Sequence, residues 1–171
     1  NGTRFNWEGA EAPGTVGGRR AHGPNTEKEF SRKLNEKERK LAIRSALAAT
    51  VDKQMVAGRG HKVPESYPFI LSDDFESIEK TKEFAKALTG LGLSDEMLRA
   101  SKKSIRAGKG TMRNRKYKRR VGPVLVVSSK AKALKTAKNL PGFDVVSVSD
   151  LNAQLLAPGC QPGRVALYTE K

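Results

Sequence analysis

Between residues 101 and 120 the chain carries ten lysines and arginines and no acidic residue. They are Lys102, Lys103, Arg106, Lys109, Arg113, Arg115, Lys116, Lys118, Arg119 and Arg120, with Tyr117 among them. Arginine offers forked donors and lysine a point charge, and both suit the phosphate oxygens of a nucleic acid. Gly108 and Gly110 permit close backbone approach, and Tyr117 presents a ring on which a base can stack. The plainer alternative is a solvated charge run or a nuclear-localisation-like tract. Ten cations without one internal counterion repel one another in isolation, and this favours nucleic-acid contact.

Residue patterns for catalysis are thin. Gly108-Lys109-Gly110-Thr111 resembles a phosphate-binding loop only superficially, because Gly110 stands where Ser or Thr must follow the lysine, and no strand precedes it. His22 and His61 are the only histidines. Each sits beside Gly and Arg or Lys, with no carboxylate or thiol at a recognisable spacing, so contact with RNA or solvent is expected rather than catalysis or metal ligation. Asp73-Asp74 could be a metal-binding pair at a strand end, but helix capping is the simpler account. Ser128-Ser129 lacks the flanking glycines of a nucleophile elbow. Cys160 is expected to be an unreactive loop thiol, and as the sole cysteine it excludes a disulfide framework within the chain.

The whole sequence has 171 residues and a formal net charge of +15, with 37% hydrophobic and 6% aromatic residues. That length suits one domain with a thin core. No apolar run is long enough to span a bilayer. A charge this positive calls for a polyanionic partner. It is unevenly spread: 101–120 alone holds +10, whereas 63–100 is net acidic at −4. An acidic-to-neutral body with basic extensions is the picture that follows.

The elements that must position these charges can be read in order. Residues 1–26 are rich in Gly and Pro and lack an aliphatic stripe, so an extended arm is expected. Phe5 and Trp7 would give it stacking rings, and a disordered linker is the alternative. Asn35 with Glu38 suggests the start of a helix, and Ile43, Leu47, Val51 and Met55, joined by Leu41 and Ala48, form its apolar side up to Gly58 and Gly60. Lys40 and Arg44 fall within that apolar arc, where they either snorkel along their stems or meet something anionic. Phe69-Ile70-Leu71 reads as a buried strand. Asp74 is placed as the cap of a helix with the stripe Ile78, Thr81, Ala85, Leu88 and Leu91, and Ser94 begins a short helix toward Ala100. Val124–Val127, Val145–Val148 and Val165–Tyr168 read as strands, with helices at 131–139 and 150–156 between them. Continuous Val/Ile/Leu runs alternating with helices predict an α/β fold, a parallel sheet of about four strands covered by helices, with a basic arm and a basic loop at 101–120. The domain division expected is 1–26 as arm and 27–171 as α/β body.

Several stretches are together similar to one known family. They are Gly17-Gly18-Arg19-Arg20-Ala21-His22, Asn35-Glu36-Lys37-Glu38-Arg39 running into Ala42-Ile43-Arg44-Ser45-Ala46-Leu47-Ala48-Ala49, Ile105-Arg106-Ala107-Gly108-Lys109-Gly110-Thr111-Met112-Arg113-Asn114-Arg115, Asn139-Leu140-Pro141-Gly142, and Leu156-Ala157-Pro158-Gly159 through Gly163-Arg164. In this order they resemble universal large-subunit ribosomal protein four in its archaeal/eukaryotic form, and Ser72-Asp73-Asp74-Phe75 fits the archaeal branch. The resemblance implies an α/β domain bound to large-subunit ribosomal RNA beside neighbouring ribosomal proteins, in the cytoplasmic ribosome. It also implies a long loop reaching the polypeptide exit tunnel, with residues 1–24 as its returning limb. The expected RNA contacts are Arg19, Arg20, His22, Arg44 and the tract cations with Tyr117. No cofactor, metal, membrane or small-molecule substrate is implied. The family's first strand and outgoing limb would precede Asn1, and a final helix would follow Lys171, so a partial chain is expected. The competing reading is an α/β enzyme acting on RNA, with Asp73, Asp74 and Ser128 as candidate groups and the basic tract holding substrate.

Overall fold

A strand of four consecutive branched aliphatics needs apolar neighbours on both of its faces, and Val124–Val127 (β4) obtains them at the centre of a parallel sheet. The structure, a computed structural model, describes residues 12–170. It divides into two units at Leu34/Asn35, and each is treated by itself. In the second unit the helices are α1 (Glu36–Val51), α2 (Lys53–Gly58), α3 (Asp74–Ser77), α4 (Thr81–Gly90), α5 (Ser94–Ser101), α6 (Ala133–Thr136) and α7 (Ala153–Leu156). The strands beside β4 are β1 (Ile70–Leu71), β5 (Asp144–Ser147) and β6 (Ala166–Thr169). Their order in the sheet is β1-β6-β4-β5, all parallel, with Val124 level with Ala166 and Asp144, and Ile70 level with Tyr168.

Alternate residues of the sheet face opposite layers. Leu71, Leu125, Val127 and Leu167 pack with Phe84 and Leu88 of α4 and with Leu93 and Phe143. On the other face Val124 and Ala166 pack with Ala46 of α1 and Leu156 of α7. Buried carboxylates and guanidinium groups pin the layers. Glu76 of α3 accepts from the Ser128 N–H (2.8 Å), the Ser128 hydroxyl (2.5 Å) and the Thr169 hydroxyl (2.7 Å), which ties α3 to the C-terminal ends of β4 and β6. Arg164 donates to the carbonyls of Gly122, Pro123 and Leu155 and to Asp144 at the opposite, N-terminal ends.

The parallel four-stranded sheet agrees with the reading of the sequence, and several boundaries do not. The expected helix through Met55 stops at Val51, where the Asp52 carboxylate accepts from the N–H groups of Gln54 (2.8 Å) and Met55 (3.4 Å) and starts α2. Asn35 is the N-cap residue by backbone but makes no side-chain capping bond. The apolar stripe is also corrected. Positions four apart drift by about 40° per step on a helix, so Val51 has rotated out to solvent by the end of α1; Leu41 on α1 and Met55 on α2 are exposed as well. The buried line is Ala46, Ala49 and Thr50, with Ile43 and Leu47 beside it. Lys40 and Arg44 accordingly lie on an exposed face.

The single helix expected from Asp74 is broken. Ile78 and Lys80 are extended, α3 is anchored by Glu76, and α4 begins afresh with Phe84 and Leu88 buried. Neither Asp73 nor Asp74 makes a side-chain capping bond, so the capping role assigned to Asp74 is not what the structure shows. The helix at 131–139 is α6 followed by a 3₁₀ turn over Ala137–Asn139. Val148 leaves the strand for a 3₁₀ turn, and the last helix shrinks to α7, capped by the Asn152 side chain on the Leu155 N–H (2.9 Å).

Candidate nucleic-acid interface

The basic tract is not an irregular loop. Lys103–Ile105 (β2) and Tyr117–Arg119 (β3) form an antiparallel hairpin, with Lys103 opposite Arg119, Ser104 opposite Lys118 and Ile105 opposite Tyr117. Apolar periodicity could not reveal these strands, because all six residues are exposed and only Ile105 and Tyr117 are apolar or aromatic. Backbone pairing continues past the strands, where the Arg106 N–H donates to Lys116 O (2.8 Å).

The tip is closed on itself. Gly108 has φ +81° and Asn114 φ +59°, the two left-handed residues that turn the chain. The N–H groups of Arg113 and Arg115 both donate to Gly110 O (3.2 and 3.0 Å), and the Thr111 hydroxyl donates to Arg106 O (2.5 Å). Arg106 lies along the tip, with Nε donating to Arg115 O (3.1 Å) and its stem so close that a Cβ on Gly110 would sit 2.6 Å from Cδ. Arg106 is therefore partly spent on shaping the tip. None of the ten tract cations forms an ion pair among the described residues.

This arrangement has an electrostatic cost in the free chain. Like charges directly opposite on paired strands are destabilising, and Lys103 faces Arg119 with neither in an ion pair among the described residues. The Tyr117 ring eases some of it, since Lys103 Nζ and Lys116 Nζ both lie 5.7 Å from its centre, within cation–π range. Because Tyr117 is half exposed but attended by two ammonium groups, it organises lysines as well as offering a face.

The other expected contacts lie elsewhere in the sequence. Arg44 is exposed on α1, the helix that packs on α7 and α2. Arg19, Arg20 and His22 are exposed within residues 12–34, a stretch without helix or strand that turns at Gly17 (φ +76°). Phe5 and Trp7 lie outside the described residues. His61 corrects the reading of the sequence: it is buried, and its Nδ1 donates to Glu96 Oε1 (2.7 Å), so it meets neither RNA nor solvent.

Two groups at the foot of the hairpin, Glu96 and Arg99, escaped sequence reasoning. Glu96 is 0% exposed and accepts from Arg99 Nε (2.7 Å), the Lys62 N–H (2.9 Å) and His61. Burial pushes its carboxyl up, but the hydrogen bonds from Arg99, His61 and the Lys62 N–H outweigh this and hold it below the usual range. Arg99 also donates to Val121 O (2.7 Å), just beyond β3. No local pattern signals such a cluster, since His61 and Glu96 are brought together only by folding. Among the described residues no group of His, Cys, Asp or Glu is placed to hold a metal ion.

The fold and the site define a class: an α/β scaffold that displays a cationic hairpin with no ion-pair partner among the described residues. Residues 4–171 match the Ribosomal protein L4/L1 family, and the chain belongs to that family. It is 47% identical over 171 residues to large ribosomal subunit protein uL4 of Methanococcoides burtonii, a match covering 99% of this chain and 66% of that protein. It is 43% identical over 170 residues to uL4 of Halobacterium salinarum (98% of this chain, 68% of that protein) and 47% identical over 166 residues to uL4 of Sulfolobus acidocaldarius (95% and 62%). The chain thus spans about two thirds of the length of these relatives.

Proposed function

We propose that the chain is a structural constituent of the large ribosomal subunit, binding ribosomal RNA mainly through the hairpin at 102–120 and lying beside other large-subunit proteins in the cytoplasmic ribosome. The observation that carries this reading is the pairing of Lys103 with Arg119 in a ten-cation hairpin that has no ion-pair partner among the described residues. Family membership and the archaeal relatives support the choice of polyanion. Lys102, Lys103, Lys109, Arg113, Arg115, Lys116, Lys118, Arg119 and Arg120 contact phosphate, with Arg106 bracing the tip and Tyr117 presenting a ring. Arg44, Arg19, Arg20 and His22 form further contacts outside the hairpin. Residues 1–26 act as an extended arm that contributes to the polypeptide exit tunnel, and 27–171 act as the RNA-binding body. No chemistry of its own is assigned to the chain.

The test is a charge-matched exchange. Replacing Arg113, Arg115, Lys116, Lys118 and Arg119 by Gln removes five charges from the hairpin. Replacing Lys82, Lys86, Lys130, Lys135 and Lys138 by Gln removes five from exposed positions on or beside α4 and α6; Lys132 is spared because it pairs with Glu79 (2.5 Å). The hairpin variant should lose far more affinity for large-subunit ribosomal RNA. Its salt exponent should fall by several units, on a scale of ~0.7–0.9 per phosphate contact. Equal losses in both variants would show that net charge alone explains binding.

A further inference from the structure

A hairpin carrying ten cations binds a structured polyanion well only if its charges arrive in a fixed arrangement, because ordering a floppy ribbon at the moment of contact subtracts from affinity. The foot of this hairpin is correspondingly clamped from two sides. On one side, the buried Glu96 carboxylate receives Arg99 Nε (2.7 Å) and Arg99 Nη2 (2.5 Å), and the same Nη2 donates to Val121 O (2.7 Å). Glu96 is held in turn by His61 and by the Lys62 N–H, so the chain leaving β3 is tied through α5 to the segment after α2. On the other side, the backbones of Gly122 and Gly142 touch: the Gly122 N–H donates to Gly142 O (3.0 Å). A Cβ on Gly122 would lie 2.7 Å from Gly142 O, and one on Gly142 would lie 2.9 Å from Ala100 Cβ. Ala100 is the residue before the last of α5, from which β2 departs, so both limbs of the hairpin are gripped within a few residues of their roots. Arg164 adds a third hold through Gly122 O (2.8 Å).

The geometry points to Glu96, Arg99, Gly122 and Gly142 as positioning residues that fix the cationic hairpin on the sheet and so preorganise it for RNA. None of the four need touch RNA. This inference rests on the reading of the hairpin as the RNA contact, and goes beyond it by assigning affinity to groups buried in the body.

Glu96→Gln separates this from simple electrostatics, because the variant gains a positive increment of net charge. If charge alone governs binding, E96Q binds large-subunit ribosomal RNA as tightly as the wild-type chain or more tightly. If the clamp governs it, E96Q binds about tenfold more weakly, as for the loss of one to two phosphate contacts, and its salt exponent falls by about the same number of contacts. Hydrogen exchange in Val124–Val127 reports whether the sheet is intact in the variant. Gly142→Ala repeats the test from the other side with no change of charge, and should weaken binding in the same way. A measurement that needs neither variant uses the native thiol: spin labels on Cys160, which is exposed, and on a cysteine introduced by Lys109→Cys at the tip should give a narrow distance distribution in the free chain. A broad distribution, or RNA affinity undiminished in a folded E96Q, overturns the proposal. If the five-charge hairpin variant described above loses no affinity, the RNA-contact reading itself fails. If that variant loses affinity and E96Q does not, the clamp alone fails.

Discussion

Arg164 offers the sharpest test of how the body is held together. It is 1% exposed, yet it carries a charge and four hydrogen-bonded oxygens: Leu155 O at 2.7 Å, Gly122 O at 2.8 Å, Pro123 O at 3.3 Å and Asp144 Oδ2 at 2.5 Å. Burial draws the guanidinium pKa down, and the Asp144 carboxylate opposes that pull. Arg164→Met keeps the length of the stem and removes every donor. Pro123 O retains a partner in the Asp144 N–H (3.2 Å), so the groups left bare are the carbonyls of Gly122 and Leu155. A buried polar group left without a partner costs about 1–3 kcal/mol. Two such groups place the loss at roughly 2–6 kcal/mol, a large share of the ~5–15 kcal/mol that holds a domain. Asp144 is different, because its side chain is 51% exposed and water can replace the arginine. Asp144→Asn should therefore cost about 1 kcal/mol or less. Urea unfolding followed by far-UV circular dichroism measures both, with an unchanged m-value showing that the same transition is compared. A loss below ~1 kcal/mol in R164M, or equal losses in the two variants, would refute the orphaned-carbonyl reasoning.

Other outcomes follow from the same contacts. Glu96 has a folded pKa below its ordinary value of about 4.3, so the stability it contributes is complete above that value and disappears as pH falls through the lower, folded one. The gap in urea midpoint between wild type and E96Q should be widest above about pH 5 and close in stronger acid; a gap independent of pH would count against the ionised network. Replacing Asp73 and Asp74 together by Asn should change stability by less than ~0.5 kcal/mol, as expected for surface positions, whereas Glu76→Ala should cost about 2–4 kcal/mol because the Ser128 N–H and two hydroxyls lose their acceptor; similar values in the two variants would contradict the anchoring role of Glu76. Within residues 12–34 every residue except Gly18 is exposed, so limited proteolysis of the free chain should cut there before it cuts in β4 or β6, and simultaneous cleavage would argue that the segment is held.

The sheet was legible because its signal is local and redundant. Val124–Val127 is apolar at every position, and no helix that short could bury it, so the strand, its burial and the parallel arrangement follow from one stretch. The hairpin was half legible. Its charge is written plainly in the composition, but β2 and β3 are held by backbone bonds and a closed tip, and their side chains alternate in no apolar pattern. The helix stripe at Ile43, Leu47, Val51 and Met55 misled because four-residue spacing is only nearly helical, and because Asp52, a good cap, ends one helix and begins another.

Least legible was the division of labour among the charges. The segment 63–100 reads as a net-acidic body, and most of its carboxylates are exposed. Two are not, and those two do the anchoring: Glu76 at the C-terminal ends of β4 and β6, and Glu96 beneath the hairpin. A carboxylate survives burial only where donors surround it, so each marks a place where backbone N–H groups, hydroxyls or a guanidinium had to converge. For Glu96 that convergence needs residues from 61, 62 and 99 at once, a condition no window of sequence contains. Composition sorts the charges by sign, and on that basis the acidic body and the basic hairpin look like separate parts. Burial joins them: the hairpin presents ten cations with no ion-pair partner among the described residues, and one compensated anion, out of reach of solvent, holds its root.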